Sequence, residues 1–511
     1  MKTLDELRLD IDAADKDLID AFTRRIDAVK SIGEYKKAKG LPVFDPEREK
    51  QKIASLEKLA SPEVRPYIRR LYTEIMGIAK DVENKPVFGV LGRSLPHTYS
   101  PQIHNMITDK YTYTVLEREE DELETLWQQG ADGIYGGFNV TIPYKKTACL
   151  KCDEVTPCAS KTGAVNTVVF RKDGTCLGAN TDVYGFKYML ESSDIDPSGK
   201  TVLILGTGGA SAAVNEALIE LNAGKIVFVS RSGDVNYANV YDVCSDARII
   251  VNCTPVGMYP DIMKSPVDIS RFKSLQAVCD IVYNPSCTRI LYDAQKAGLK
   301  MAGGLKMLVA QAFKASAFFL GAKNDSEAED NVDLDEVARV TNLLEKDMKN
   351  IALIGMPGSG KTQLARALGK KLGRQVVDLD DEFTVKFGRT PAETIESEGE
   401  DSFREKESEV ALEYLGRSGI IVSCGGGIVT RESNFFPLKC NSTVIYNKRP
   451  LEVLSSDDRP ISKDKGRERI YEERKEAYET LADMIIYVDA KDTREEYIEE
   501  ALRIYDDNSC S

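Results

Sequence analysis

Residues 355–362 read Gly-Met-Pro-Gly-Ser-Gly-Lys-Thr, and their setting constrains the local fold more tightly than any other stretch. They follow a short apolar run, Ile351-Ala352-Leu353-Ile354, and precede 363–372, where Leu364, Leu368 and Leu372 keep helical spacing. Strand, glycine-rich loop and helix in this order form the G-x-x-x-x-G-K-[ST] phosphate loop. Gly355, Gly358 and Gly360 let the loop backbone, Ser359 included, turn its N–H groups toward phosphates, and the helix N-terminus adds partial positive charge. Lys361 is expected to reach the outer phosphates and Thr362 to hold Mg²⁺.

A chain of 511 residues predicts two to four domains at roughly 150 residues each. The net charge of −14 argues against nucleic acid or an anionic membrane as partner. No run approaches a membrane span and nothing near the start resembles a signal peptide. Eleven cysteines without a secretory context predict reduced thiols and a cytoplasmic location. Cys149 and Cys152 form a lone Cys-x-x-Cys; with only His97 and His104 to complete it, no metal or redox role is expected.

Four segments differ in pattern. Residues 1–84 predict three helices, with Leu4, Leu7, Ile11, Leu18, Phe22, Ile26, Val29 and Ile32 at three- to four-residue spacing and a break at Gly40-Leu41-Pro42. Such a stripe needs a partner, expected to be a second copy. Residues 86–320 alternate strand-like and helical runs, predicting parallel βα units. The stretch 321–348 is rich in Asn, Asp, Glu and Lys and reads as a linker, in part helical, that leaves its neighbours loosely tethered. Residues 349–511 alternate again.

Beyond the phosphate loop come Val377-Asp378-Leu379-Asp380, Gly388-Arg389-Thr390-Pro391, Gly399-Glu400-Asp401-Ser402-Phe403-Arg404, Cys424-Gly425-Gly426-Gly427, Asp458-Arg459-Pro460 and Glu473-Arg474. This series resembles shikimate kinase over the whole segment, an α/β P-loop fold using ATP and Mg²⁺. The resemblance implies that Asp378 supports Mg²⁺ with Thr362 and that Asp380, on the same strand face, holds the accepting hydroxyl. It implies that Arg404 and Arg474 grip the substrate carboxylate, that Gly426 lies against the ring, and that Arg459 closes over ATP.

In the middle segment, 201–210 reads Thr-Val-Leu-Ile-Leu-Gly-Thr-Gly-Gly-Ala, a dinucleotide loop with Gly206, Gly208, Gly209 and Ala210 between strand and helix. The next strand ends in Ser230-Arg231, where an NAD site carries an acidic residue; arginine there suits a 2′-phosphate and predicts NADP(H). Around it stand Ser94-Leu95-Pro96-His97-Thr98-Tyr99-Ser100, Asn139-Val140-Thr141-Ile142-Pro143-Tyr144-Lys145, Ala164-Val165-Asn166-Thr167, Asn180-Thr181-Asp182, Asp280-Ile281-Val282-Tyr283-Asn284-Pro285 and Met307-Leu308-Val309-Ala310-Gln311. These resemble shikimate dehydrogenase, with a substrate half and a Rossmann cofactor half at about 195–290. The resemblance implies that Lys145 and Asp182 are the catalytic pair, and that Thr98, Ser100, Thr141, Asn166, Tyr283 and Gln311 bind ring hydroxyls and carboxylate. Thr98 stands where the family usually has Ser, which leaves quinate open as an alternative substrate. His97 and His104 read as turn and packing residues.

The segment 35–49, Tyr-Lys-Lys-Ala-Lys-Gly-Leu-Pro-Val-Phe-Asp-Pro-Glu-Arg-Glu, resembles the all-helical chorismate mutase family. The resemblance implies four cations, Arg8, Arg25, Lys36 and Arg48, around a dianionic substrate, with Glu49 and Asp45 beside its ring. Arg8 would come from the partner chain, implying a homodimer. Near the end of the third helix the family's Ser and Gln are replaced by Ala79 and Glu83; Glu83 can donate to an ether oxygen only when protonated, so mutase activity is expected to fall with rising pH. The alternative is a non-catalytic helical module for regulation or dimerisation. The fusion would thus carry three shikimate-pathway activities.

Overall fold

The computed structural model describes residues 2–38, 46–96, 98–454, 466–487 and 493–509. Asp45, His97 and Arg459 lie outside them, as does the side chain of Glu83. The chain divides into two compact units, Met1–Thr181 with Phe313–Asn331, and Asp182–Ala312 with Val332–Ser511.

The first unit opens with α1 (Leu4–Ala38), α2 (Pro46–Leu59) and α3 (Arg65–Asn84). Pro46 starts α2, where its fixed φ and missing N–H cost nothing. A helix of 35 residues is about 52 Å long, whereas the 20 residues of α3 reach about 30 Å. Accordingly Val29 and Ala79 are buried, while Leu4, Leu7, Ile11 and Leu18 remain 47–64 % exposed.

Six strands follow: β1 (Val87–Gly92), β2 (Thr112–Glu117), β3 (Gly137–Val140), β4 (Glu154–Val155), β5 (Thr167–Phe170) and β6 (Cys176–Ala179), in the order β2-β1-β3-β5-β6-β4. The sheet is mixed rather than wholly parallel. β5 runs antiparallel to both β3 and β6; a tight hairpin closed by Arg171 and Thr175, with Gly174 at φ 85°, joins it to β6 in place of a helical crossover.

The polar stretch 321–348 is folded, correcting the loose-linker expectation. In the first unit, buried Lys314 pairs with Asp325 (3.2 Å) and Glu329 (2.7 Å) of the helix Asp325–Asp330. In the second, the helix Leu334–Met348 buries Val337, Val340, Leu344 and Met348 on one stripe.

The second unit holds two parallel sheets. One has the order β11-β10-β9-β7-β8, from β7 (Thr201–Leu205), β8 (Lys225–Val229), β9 (Ile249–Asn252), β10 (Ala277–Asp280) and β11 (Lys300–Gly303). The other has the order β13-β14-β12-β15-β16, from β12 (Asn350–Ile354), β13 (Val376–Asp378), β14 (Ile421–Ser423), β15 (Ser442–Lys448) and β16 (Met484–Tyr487). In each, a glycine-rich loop leaves the strand beside which the order reverses, the place where open α/β sheets bind ligands. Between the sheets lies a small apolar cluster of Ile262, Phe436 and Cys440, backed by Tyr259, Tyr292 and Leu412.

Candidate functional sites

The loop after β12 has left-handed backbone at Gly355 (φ 145°), Gly358 (78°) and Gly360 (91°). A Cβ on Gly355 would lie 2.7 Å from the Asn447 carbonyl oxygen, so the turn requires glycine there. Asn447 braces the loop by donating Nδ2 to the Ser359 carbonyl (2.8 Å). Buried Lys361 donates Nζ to the carbonyls of Gly355 (3.1 Å) and Met356 (3.0 Å). The Thr362 hydroxyl donates to Asp378 Oδ2 (2.7 Å) and lies 3.2 Å from Ser423 Oγ. The hydroxyl and carboxylate are oxygen donors of the kind a hard divalent cation takes beside waters and phosphates, and the cradle fits a triphosphate.

Asp380 departs from its expected place. β13 ends at Asp378, which caps the helix Leu379–Phe387 by accepting Asp380 N–H on Oδ1 (3.0 Å). Asp380 is therefore in the first turn of a helix, not on a strand face. It still lines a cavity of about 230 Å³ with Pro357, Arg404, Glu407, Gly426 and Arg474. Pro357 also belongs to the phosphate loop, so the two sites share a wall.

The cavity's charge balance includes a residue that sequence reading passed over. Glu407, one turn after Arg404 on the helix Glu400–Leu415, accepts from Arg404 Nη1 (2.6 Å) on Oε2. Burial pushes its carboxyl pKa up, against the downward pull of Arg404. Arg474 donates Nη1 to the Gly426 carbonyl (2.9 Å), which the Tyr478 hydroxyl also reaches. Among the described residues, Nε of Arg404, Nε of Arg474 and Oε1 of Glu407 are buried without a hydrogen-bond partner. Two buried guanidinium groups with donors to spare suit a carboxylate. The glycines let the backbone close in: a Cβ on Gly425 would meet Glu407 Oε1 at 2.4 Å.

At the dinucleotide loop, Gly206 has φ 98° and donates its N–H to Val229 (2.8 Å). A Cβ on Gly206 would meet Thr254 Cγ2 at 2.8 Å, whereas Gly208 and Gly209 face open space. Gly208 caps the helix Gly209–Glu220, with Ala210 in its first turn. The loop thus fits a pyrophosphate. Ser230 follows β8 and Arg231 is exposed.

The remaining dehydrogenase residues divide between the units. In the first, Thr98 donates to Ser100 Oγ (3.2 Å), Thr141 follows β3, and Lys145 begins the helix Lys145–Lys151. Asn166 is buried, donating to Thr181 Oγ1 (3.0 Å) and accepting Thr181 N–H (2.8 Å). His104 is buried as expected of a packing residue: it stacks on Tyr113 (3.9 Å), Nδ1 lies 2.7 Å from the Tyr111 hydroxyl, and burial drops its pKa to about 3. In the second unit, buried Asp182 begins the helix Asp182–Glu191, and Gly185 lets that helix approach Met307 and Gln311. Tyr283 follows β10, whose last residue, Asp280, is buried and pushed up to about 7.

In the helical segment, Arg25 donates Nη2 to Met76 Sδ (3.1 Å), and its buried Nη1 has no hydrogen-bond partner among the described residues. Lys36 lies in the last turn of α1, and Arg48 and Glu49 in the first turn of α2. Ala79 is buried. Arg8 and Arg25 share α1, 17 positions apart.

A dinucleotide loop and a triphosphate loop, each at the switch point of a parallel sheet, define a nucleotide-dependent oxidoreductase joined to a phosphotransferase. Family models agree: chorismate mutase type II matches residues 7–84, the shikimate dehydrogenase substrate binding domain 90–168, and shikimate kinase 357–505. The chain is 36% identical over 267 residues to a shikimate dehydrogenase (NADP(+)) of Clostridium perfringens, covering 48% of this chain and 96% of that protein. It is likewise 36% identical over 258 residues to one of Caldanaerobacter subterraneus, covering 46% and 90%. A solved chorismate mutase/shikimate 5-dehydrogenase fusion protein from Clostridium acetobutylicum is 31% identical, with TM-score 0.48 over 52% of this chain and 98% of that one. The chain belongs to the shikimate dehydrogenase family. No helix among its described residues is long and apolar enough to cross a membrane.

Proposed function

We propose that this chain reduces 3-dehydroshikimate to shikimate, phosphorylates shikimate to shikimate 3-phosphate, and rearranges chorismate to prephenate. The domains are proposed as 1–84 for the mutase, 86–320 for the dehydrogenase and 349–511 for the kinase. When bound, NADPH supplies the hydride and Mg·ATP the phosphoryl group.

Lys145 gives its proton to the carbonyl oxygen as the alcohol forms, and Asp182 is the second residue of the proposed catalytic pair. Gly206, Gly208, Gly209 and Ala210 seat the pyrophosphate, and Ser230 and Arg231 the 2′-phosphate. Thr98, Ser100, Thr141, Asn166, Tyr283 and Gln311 bind the ring. In the kinase, Arg404 and Arg474 hold the carboxylate, Asp380 orients the accepting hydroxyl, Lys361 steadies the phosphates, and Thr362 with Asp378 holds Mg²⁺. The observation that carries the kinase part of this reading is the shared wall at Pro357, which puts a cavity lined by two arginines against a phosphate loop.

In the mutase, Arg8, Arg25, Lys36 and Arg48 hold the compact dianion and stabilise charge on the breaking ether oxygen, with Glu49 on the ring hydroxyl. Seventeen residues of helix separate Arg8 from Arg25 by about 25 Å, so one small substrate meets both only across a homodimer. The exposed leucines and isoleucines of α1 fit that pairing.

The test is one reaction with purified chain, 3-dehydroshikimate, NADPH and Mg·ATP, followed by NADPH absorbance and mass spectrometry. NADPH loss that requires 3-dehydroshikimate but not Mg·ATP, and shikimate 3-phosphate that requires the full mixture, are expected. Untouched NADPH with phosphorylation of added shikimate would overturn the dehydrogenase assignment and send it to quinate and NADH.

A further inference from the structure

The loop 281–288 joins β10 to the helix Arg289–Lys296 and carries Tyr283. Its two ends are tied to its own domain: Asp280 accepts Val282 N–H (3.0 Å) at one and the Thr288 hydroxyl (2.6 Å) at the other. The Asn284 carbonyl also accepts Tyr259 N–H (3.2 Å).

Its middle is held by the kinase segment. Ser286 N–H donates to Asn441 Oδ1 (3.1 Å), and Cys287 N–H to the Cys440 carbonyl (2.9 Å). Ser286 Oγ donates to that same carbonyl (3.2 Å), and Ser418 Oγ donates to Asn284 Oδ1 (3.0 Å). Four bonds to three consecutive-neighbourhood residues leave the loop little freedom of its own.

The kinase side of this contact is rigid. Asn441 Nδ2 donates to the Arg417 carbonyl (2.8 Å) and to Ser418 Oγ (3.0 Å). The Asn441 carbonyl accepts Asn350 N–H (2.8 Å) where β12 begins. The loop is thereby fastened to the central strand of the kinase sheet. Apolar packing backs the polar seam: Phe436 lies 5.2 Å from the Tyr292 ring, and the Arg289 guanidinium 5.4 Å from the Phe436 ring centre. At Gly416 a Cβ would come within 3.3 Å of both Ile262 and Tyr259, so the two surfaces meet without a gap.

We infer that the kinase segment is a positioning element of the dehydrogenase: Ser418, Cys440 and Asn441 set the conformation of 281–288 and so the placement of Tyr283. The inference rests on the reading that Tyr283 contacts the dehydrogenase substrate. The Clostridium perfringens relative is matched over 96% of its length by 48% of this chain, which leaves that protein no counterpart of the kinase segment. In this chain the loop has acquired an outside support. Ser418, Cys440 and Asn441 touch neither nucleotide loop and are positioning residues.

The test uses the full chain with Ser418→Ala, Asn284→Ala and the double variant. Ser418→Ala removes the hydrogen bond to Asn284 and the one Asn441 Nδ2 donates to the same hydroxyl, and leaves the apolar packing and the kinase cavity intact. Expected are a KM for 3-dehydroshikimate raised about fivefold, the effect of one ordinary hydrogen bond, kcat within twofold, and kinase rates at the parent value. The double variant should be no worse than Ser418→Ala alone, since both substitutions remove the same bond across the seam. Amide hydrogen exchange in 281–288 should quicken in every variant. Parent-like KM in Ser418→Ala overturns the inference, whether or not exchange has changed. Equal loss of both activities, with a lowered melting temperature, overturns it too, because that is general destabilisation. Failure of the parent to reduce 3-dehydroshikimate would instead sink the underlying function; exchange in 281–288 would then decide alone, with unchanged exchange refuting support by the kinase.

Discussion

Replacing Gly427 by alanine should separate acceptor recognition from nucleotide binding in the kinase. A Cβ at this position would sit 2.1 Å from Cζ, Nη1 and Nη2 of Arg404, far inside van der Waals contact. Gly427 has φ −104° and ψ 4°, which alanine adopts without backbone strain. The clash therefore falls on the guanidinium, the far end of a flexible side chain, and the fold survives. Arg404 is pinned by Glu407 at 2.6 Å and Glu400 at 3.4 Å, and yielding breaks its alignment in the cavity. A charged hydrogen-bonded pair lost from a buried site is worth about 2 kcal/mol, or roughly 30-fold in KM for shikimate. Coupled-enzyme kinetics over a shikimate titration would measure it, with KM for ATP and the dehydrogenase rate of the same chain as internal controls. A shikimate KM within twofold of the parent would show that Arg404 does not hold the acceptor.

If Thr362 holds Mg²⁺ as proposed, Thr362→Val should lower kinase kcat on the order of 100-fold, with 3-dehydroshikimate reduction unchanged; an unaltered Mg²⁺ titration curve would contradict this. Asp280 has a folded pKa of about 7 against an ordinary 3.8, so the native chain binds a proton the unfolded chain releases; stability contributed at low pH is lost as pH rises from about 4 through 7. Asp280→Asn can still accept from Val282 and Asn252 and donate to Thr288, and melting curves from pH 5 to 8 should flatten relative to the parent. For the mutase, Arg8→Ala and Arg25→Ala chains should each be inactive alone. Refolded together they should recover about a quarter of parental turnover, since half the dimers are mixed and each has one intact site; no recovery on mixing would remove the shared site.

Both glycine loops were legible because a phosphate cradle demands glycine at fixed offsets between strand and helix, and the observed φ angles at Gly206, Gly355, Gly358 and Gly360 are that demand met. Asp380 lines the cavity but was expected on a strand face and lies in a helix, since a short strand ending in a capping aspartate looks like a longer strand. Glu407 left a readable trace, an Arg-x-x-Glu pair on one helix face, yet such pairs are common on solvated helices and only burial distinguishes this one. The stretch 321–348 was read as in part helical, but its polar composition hid that the helix Leu334–Met348 buries Val337, Val340, Leu344 and Met348. The seam between Ser286 and Asn441 has no sequence signal, because its bonds run between backbone groups and short polar side chains some 150 residues apart.

That seam also bears on how the chain is made. Tyr259, Ile262 and Tyr292 leave the ribosome well before Phe436, which covers them. At 5–20 residues per second the delay is about 10–30 s, long enough for the cofactor half to collapse with an apolar patch in water. The patch is a surface that a chaperone or a neighbouring nascent chain can find first, and the kinase segment, arriving last, retires it.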